Sequence, residues 1–410
     1  MTVPVDLPAP FGSAWARDPW PEYTRLRSAG GITRIPLRRG LNPWVVTGYR
    51  LVRTLLGDPR LSANADHTTP EVRAAILAGQ PEERVNLIGR SLLTVDPPDH
   101  TRLRRILSSA LSAQRAADLA EPIRRTADRF LDRLVGRDEA DLLADYAIPL
   151  TATVACSLIG IPEEAHEQFC AWGLALTRAE LHSATAFDDV TAKMLDHFLP
   201  LLDSRLRQPR DDLVSLLAAA RNEDQLDDYE LVSVVYQLFF AGYETTGHLL
   251  ANAILRLLDH PVERAAMAAD PQLLAAGVEE LLRIEGSVKV PSWRFAVAPV
   301  DVGDVTIQPG EPVLAVLASA NRDEALVADP EEFRLDRDTN PHLAFGYGIH
   351  HCLGAAVGRL ELRVGLARLL ARFPGVGLAL PADELCWRVN LLIRGVRELP
   401  VRLGAHVDGV

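Results

Sequence analysis

Apolar residues recur at helical spacing through most of the chain. That spacing predicts helices over residues 100–111, 121–135, 165–176, 190–206, 229–259, 271–284 and 355–373. Alternation of apolar and polar positions, the mark of a half-buried strand, is confined to shorter pieces. These are 32–36 and 43–47 near the start, then 290–297, 304–307, 312–318 and a region around 385–403. The chain has 410 residues, nominally enough for roughly two or three domains. Yet no Ser- or Gly-rich linker, repeat or sustained charge run divides it, and Pro and Gly breaks are spread throughout. The expectation is one domain over residues 1–410, mainly α with small β-sheets (α+β).

The helix over 229–259 is long and apolar around most of its circumference, as in a helix that crosses a large interior. In its middle stand Ala241, Gly242, Tyr243, Glu244, Thr245 and Thr246. Glycine in mid-helix costs about 1 kcal/mol relative to alanine. A buried carboxylate costs more unless it is paired or hydrated. A threonine can turn its hydroxyl onto the carbonyl four residues back and loosen the helix there. Together these residues make a small polar notch in a buried helix. On local sequence alone, a kink with a satisfied carboxylate explains it.

The stretch Phe345-Gly346-Tyr347-Gly348-Ile349-His350-His351-Cys352-Leu353-Gly354 changes that picture. It sets one cysteine after a glycine-bearing loop and just before the helix over 355–373. Such a loop lets backbone approach a flat cofactor, and N–H groups at a helix start favour a thiolate. A lone cysteine does not suit structural zinc, which wants a full set of protein ligands. It suits haem, where the protein supplies one axial thiolate.

Phe345, Gly348, His350, Cys352 and Gly354 meet every fixed position of F-x-x-G-x-H-x-C-x-G, and the stretch resembles the haem-binding signature of the cytochromes P450. The resemblance implies the P450-type haem-thiolate fold. It implies haem b (iron protoporphyrin IX) with Cys352 on the iron, and Phe345, Gly346, His350 and Gly354 around it. The polar notch then looks like the family's oxygen-binding groove, with Ala241 against the cofactor. Glu244 and Thr245 resemble the acid–alcohol pair that helps deliver protons while oxygen is cleaved.

Other motifs follow the same family. Glu280 and Arg283 match its E-x-x-R, and residues three apart share a helix face. Arg337 matches the cation that joins that pair, and the resemblance assigns all three to folding. His100 and Arg104 match an H-x-x-x-R clamp for haem propionates, and Arg294 aligns with the strand arginine for the other propionate. The likeness runs from about Pro19 to near the C-terminus. It leans towards the branch that oxidises macrolides and related natural products. Ser287 stands where that branch usually has proline.

By the resemblance, the substrate pocket lies opposite Cys352. Loop 85–94, the central helix near Phe239 and Ala241, segment 288–292 and turn 390–393 should line it. Ile88, Leu93, Phe239, Val288, Val290, Leu391 and Leu392 are the expected contacts, which implies a mainly apolar substrate. Alternation puts Lys289 on the other face from Val288 and Val290. Residues 176–186 read as a lid.

The net charge of −12 argues against general nucleic-acid binding. No apolar stretch reaches the uninterrupted length of a membrane span, and residues 1–10 lack the pattern of a secretion signal. Cysteines at 156, 170, 352 and 386 show no disulfide spacing, which suits a reducing cytoplasm, and the three besides Cys352 read as core thiols. The chain carries no flavin or iron–sulfur motif, so electrons are expected from a ferredoxin and its reductase. The resemblance places Arg102, Arg105, Arg359 and Arg363 on helices near the cysteine side, where they form the expected dock, with dispersed surface arginines as the open alternative. The reading is a cytoplasmic, monomeric monooxygenase of secondary metabolism that uses O2 to hydroxylate or epoxidise a small molecule. Oxidative coupling of a peptide or aromatic compound would use the same pocket and stays open. A haem-based sensor would need an output domain or DNA-binding surface that the sequence does not suggest.

Overall fold

A computed structural model of the chain describes residues 12–77, 90–111, 113–178, 184–210, 212–223 and 225–407. The helical body contains α1 (Asp99–Ala110), α2 (Ala120–Asp132), α3 (Ile148–Ile159), α4 (His166–Arg178) and α5 (Ala184–Arg207). It continues with α6 (Leu213–Asn222), α7 (Asp228–Leu258), α8 (Pro271–Glu285) and α9 (Ala355–Arg372). Shorter helices lie before α1 and around Pro261–Ala269.

Helix α7 starts at a capping box. The Asp227 carboxylate accepts from the Glu230 N–H at 2.7 Å, and Glu230 accepts from the Asp227 N–H at 3.1 Å. It then runs through the core and packs against α3, α8 and α9. Helix α3 was not predicted by spacing. Residues Ile148 to Cys156 are all buried, so it has no polar face to create a period. It ends at Gly160, which takes a left-handed φ of 96°.

Among the described residues, ten short strands form three sheets. They are β1 (Ile32–Arg34), β2 (Trp44–Val46), β3 (Leu61–Ser62), β4 (Glu139–Asp141) and β5 (Arg294–Ala296), then β6 (Val300–Val302), β7 (Val305–Ile307), β8 (Pro312–Ala315), β9 (Gly377–Leu378) and β10 (Pro400–Arg402). The largest sheet has the order β1-β2-β8-β5-β3. Among the described strands only β2 and β8 pair in parallel, with Val45 opposite Leu314. Strands β4, β10 and β9 form a second sheet, and β6 and β7 a hairpin. The expected strand over 290–297 forms only at Arg294–Ala296, and upstream of it Val288 makes an isolated bridge to Ile393. The strand expected over 312–318 stops at Ala315, and Leu317–Ala320 turns into a short helix.

One buried carboxylate ties the helical body to the loops that follow the sheet. Glu280 accepts from Arg283 Nε and Nη2, each at 2.7 Å, and from Arg337 Nε at 2.9 Å. It also accepts from Asn340 Nδ2 at 3.1 Å and the Arg334 N–H at 3.2 Å. The Arg283 side chain, fully buried, donates on to the carbonyls of Asn321, Pro330 and Glu332.

Cys156 and Cys170 are buried, but Cys386 is exposed and is not a core thiol. It lies in an irregular hairpin whose isolated bridge pairs Trp387 with Val396. Among the described residues no helix is long and apolar enough to cross a membrane.

Arg283→Ala leaves the Glu280 charge buried with part of its donor set gone. Removing one partner of a buried pair costs about 3–5 kcal/mol. Denaturant unfolding of the variant should show a loss of that size, whereas a change within error would mean that Arg337 and Asn340 suffice.

Candidate active site

A largely apolar cavity lies between α7 and α9, with α1, Leu92 and Leu93 along one side. The loop that delivers Cys352 into it is shaped by backbone. Gly348 has φ 78°, and a Cβ there would stand 2.5 Å from the Leu56 carbonyl oxygen, so only glycine fits. The Phe345 carbonyl accepts from the Cys352 N–H at 2.8 Å, and the Leu343 carbonyl from the Gly346 N–H at 2.8 Å. Cys352 is thus held in a tight turn with its side chain on the cavity. Surrounding protein pushes its thiol up, while the Gly354 N–H and the charges of Arg104 and Arg359 pull it down.

Donors and cations gather at one rim. His100 and His350 stack edge to face with ring centroids 4.4 Å apart. His100 Nε2 and His350 Nδ1 are buried and find no protein partner among the described residues. Arg104 lines the same rim. Arg294 stands behind it, outside the lining, and donates to Ser292 Oγ and, at 3.0 Å, to the Trp293 carbonyl. Burial, with the Arg294 and His100 charges, brings His350 down to about 3, against the pull of Asp96. The rim is built for anions.

On the opposite wall, Gln237, Ala241 and Thr245 form a stripe of α7 that faces the cavity. Thr245 Oγ1 donates to the Ala241 carbonyl at 2.7 Å. Ser287 Oγ donates to the Thr245 carbonyl at 2.6 Å, so the segment after α8 is pinned to the notch.

Glu244 is not on this wall. It faces the C-terminal hairpin, where Arg388 Nη1 reaches both Glu244 Oε1, at 3.0 Å, and His248 Nε2, at 2.6 Å. Burial and the Arg388 charge hold His248 down at about 3, so it is neutral and accepts from Arg388. Gly395 lies against the His248 ring so closely that any Cβ would clash.

Of the expected substrate contacts, Leu93 and Val288 line the cavity. Ile88 lies outside the described residues, as do residues 179–183 of the expected lid. Phe239 and Val290 are corrections. Phe239 is two residues from the Gln237 stripe, turned into an aromatic core with Phe169 and Tyr243. Val290 is fully buried with Trp15, Tyr23 and Leu314. Leu391 packs on that same cluster, and Leu392 is partly exposed; neither lines the cavity. Lys289 is buried with its Nζ on the Asn390 carbonyl. Burial and the nearby Arg394 and Arg388 charges bring it down to about 7.

Residues not anticipated also line the space: Gln237, Leu107, Leu158, Leu213 and Glu361. Burial pushes the Glu361 carboxyl well up. A polar residue in register with Ala241 and Thr245 was the signal for Gln237. The expected dock is reduced, because Arg102 pairs with Glu230 and Asp99, and Arg359 with Glu279. Arg105 and Arg363 remain exposed.

A model of the cytochrome P450 family matches residues 169–375. Cytochrome P450 107B1 of Saccharopolyspora erythraea is 39% identical over 398 residues, covering 96% of this chain and 97% of that protein. The chain belongs to the cytochrome P450 family. Mycinamicin IV hydroxylase/epoxidase of Micromonospora griseorubida is 37% identical across 92% of this chain and 94% of its own. The solved structure of the tirandamycin C-bound P450 monooxygenase TamI aligns with a TM-score of 0.88 at 36% identity, covering 96% of this chain and 99% of that one. The protein is therefore a P450 monooxygenase, with haem iron as cofactor and a small molecule and a redox partner as co-reactants. Its residues fit the group. A lone thiol faces the cavity from one wall, and the orphaned His100 and His350 nitrogens beside Arg104 suit propionates.

Glu279 braces the thiol loop of this P450. It accepts from His342 Nε2 at 3.0 Å and from Arg359 Nε at 2.7 Å, and Arg359 lies 4.6 Å over the Phe345 ring. Burial pushes the Glu279 carboxyl up, but hydrogen bonds from His342 and Arg359 outweigh it and hold it at about 2, below its ordinary 4.5. A depressed carboxyl stabilises the fold above its unfolded pKa and loses that contribution as pH falls towards the folded one. The stability difference between wild type and Glu279→Gln should therefore shrink between pH 4.5 and about 2. Chemical unfolding across that range checks it; a constant difference would discount the brace.

Proposed function

We propose that this P450 binds haem b through Cys352 and hydroxylates or epoxidises a mainly apolar natural product of the macrolide or polyketide kind. The observation that carries the reading is the cavity itself. It sets a lone thiol on one wall and the Thr245 notch on the other, with a mostly apolar lining. Mycinamicin IV and tirandamycin C, named for two similar proteins, support the substrate class.

Cys352 would hold the haem iron through its thiolate, with His100, Arg104 and His350, backed by Arg294, holding the propionates. When bound, the haem iron supplies reductive activation of dioxygen. Thr245 keeps a hydroxyl at the cavity wall, oriented by its bond to the Ala241 carbonyl. Glu244 stands on the neighbouring face of α7 as the carboxylate through which protons reach the notch, and Arg388 orients it. Leu93 and Val288 exclude water and accept apolar surface. A ferredoxin would supply electrons at the Cys352 side. Exposed Arg105 and Arg363 would meet its acidic surface there.

Reduced protein with carbon monoxide should give the Soret band of thiolate-ligated haem, and Cys352→Ala should lose it. A band typical of histidine ligation in wild type would sink the assignment. Thr245→Ala should keep the band but lower product formed per electron consumed by roughly tenfold or more, with peroxide released instead. Unchanged coupling would remove Thr245 from proton delivery.

A further inference from the structure

Gln237 is the one amide on the cavity-facing stripe of an otherwise apolar part of α7, among Val234, Val235 and Leu238. Its carbonyl oxygen, Oε1, accepts from the Leu92 N–H at 2.9 Å. That bond fixes which end of the amide is which. The Nε2 amine is therefore turned away from Leu92, and its two N–H groups have no protein partner among the described residues. Two hydroxyls of this wall have spent their protons, since Thr245 donates to Ala241 and Ser287 to Thr245, and the hydroxyl of Thr246 lies towards Gly358 of α9. Gln237 is thus the amide donor at its end of this wall, about two turns or more from Thr245 and Thr246.

We propose that Gln237 is a substrate anchor whose amide N–H donates to a carbonyl or ether oxygen of the bound molecule. The inference rests on the apolar-substrate reading above and narrows it. Gln237 and Thr245 are two turns apart on one face, roughly 12 Å along the axis. The substrate therefore carries an acceptor oxygen well removed from the carbon that is oxidised near Thr245. An oxygenated macrocycle or long polyketide spans that distance, whereas a small terpene hydrocarbon neither spans it nor offers the acceptor. A donor that is left unpaired when the oxygen is missing also discriminates against deoxy analogues.

The test uses the haem-loaded protein and a matched pair of ligands, cyclopentadecanone and cyclopentadecane. Affinities come from the ligand-induced Soret change and from equilibrium dialysis, in wild type and Gln237→Met. The carbon monoxide spectrum first shows that the variant is intact. A neutral hydrogen bond is worth about 1 kcal/mol, so the variant should bind the ketone roughly fivefold more weakly and the hydrocarbon unchanged. Equal weakening of both would mean that Gln237 merely tethers Leu92, and no weakening of either would mean that it does nothing for ligands. Either result overturns the anchor alone. A wild-type protein that binds neither ring overturns the apolar-substrate reading, and the anchor with it.

Discussion

The rest of the structure depends on the Glu280 carboxylate and the arginines that neutralise it. A charge taken fully out of water is tolerated only when donors surround it. Here Arg283, Arg337, Asn340 and the Arg334 backbone supply them. All but Arg283 come from the stretch after the sheet, which has little regular structure of its own. Arg283 spends its remaining donors on the carbonyls of Asn321, Pro330 and Glu332. One ion cluster thus adds to the few apolar anchors of this segment, Phe333, Leu335 and Leu343, and fixes it on α8.

That segment leads into the thiol loop. Asn321 Oδ1, on the residue whose carbonyl Arg283 holds, accepts from the Leu343 N–H at 2.7 Å. Leu343 in turn closes the turn at Gly346. Glu279 adds a second grip, through His342 before the loop and Arg359 after it. Adjacent carboxylates on one helix therefore hold the loop from both ends. The position of Cys352 thus follows from the loop's own backbone turns and from the electrostatics at α8 that anchor the loop's ends.

The residues whose positions could be read from the sequence are those that backbone geometry or charge requires. Gly348 is confined by its left-handed φ and by Leu56, and Glu280 by its burial. His100, Arg104, Ala241, Thr245, His350 and Cys352 do converge on one cavity. Substrate contacts were harder because they depend on where a side chain points in irregular backbone. Residues 288–292 bend between a single bridge and β5, so alternation did not assign Val290, which turned into the Tyr23 core. Phe239 stands near Ala241 along α7 but faces Phe169 and Tyr243 on another side of the helix. Helix α3 escaped because burial on all sides erases the period on which such readings depend.

The same angular argument explains the division of labour at the notch. Successive residues of a helix point about 100° apart, and the face of α7 turned to the cavity here takes Thr245 and Thr246 and leaves Glu244 outside it. Thr245 takes the inner face, and Glu244 is left to the C-terminal hairpin, where Arg388 and neutral His248 receive it. Ser287 then closes the gap from the other side by binding the Thr245 carbonyl, while its own carbonyl accepts from the Arg394 N–H at 2.7 Å. The hairpin that orients the acid and the segment that carries Val288 towards the substrate are thus one hydrogen-bonded unit. Val288 therefore sits on the same hydrogen-bonded backbone unit whose hairpin holds Arg388 against Glu244.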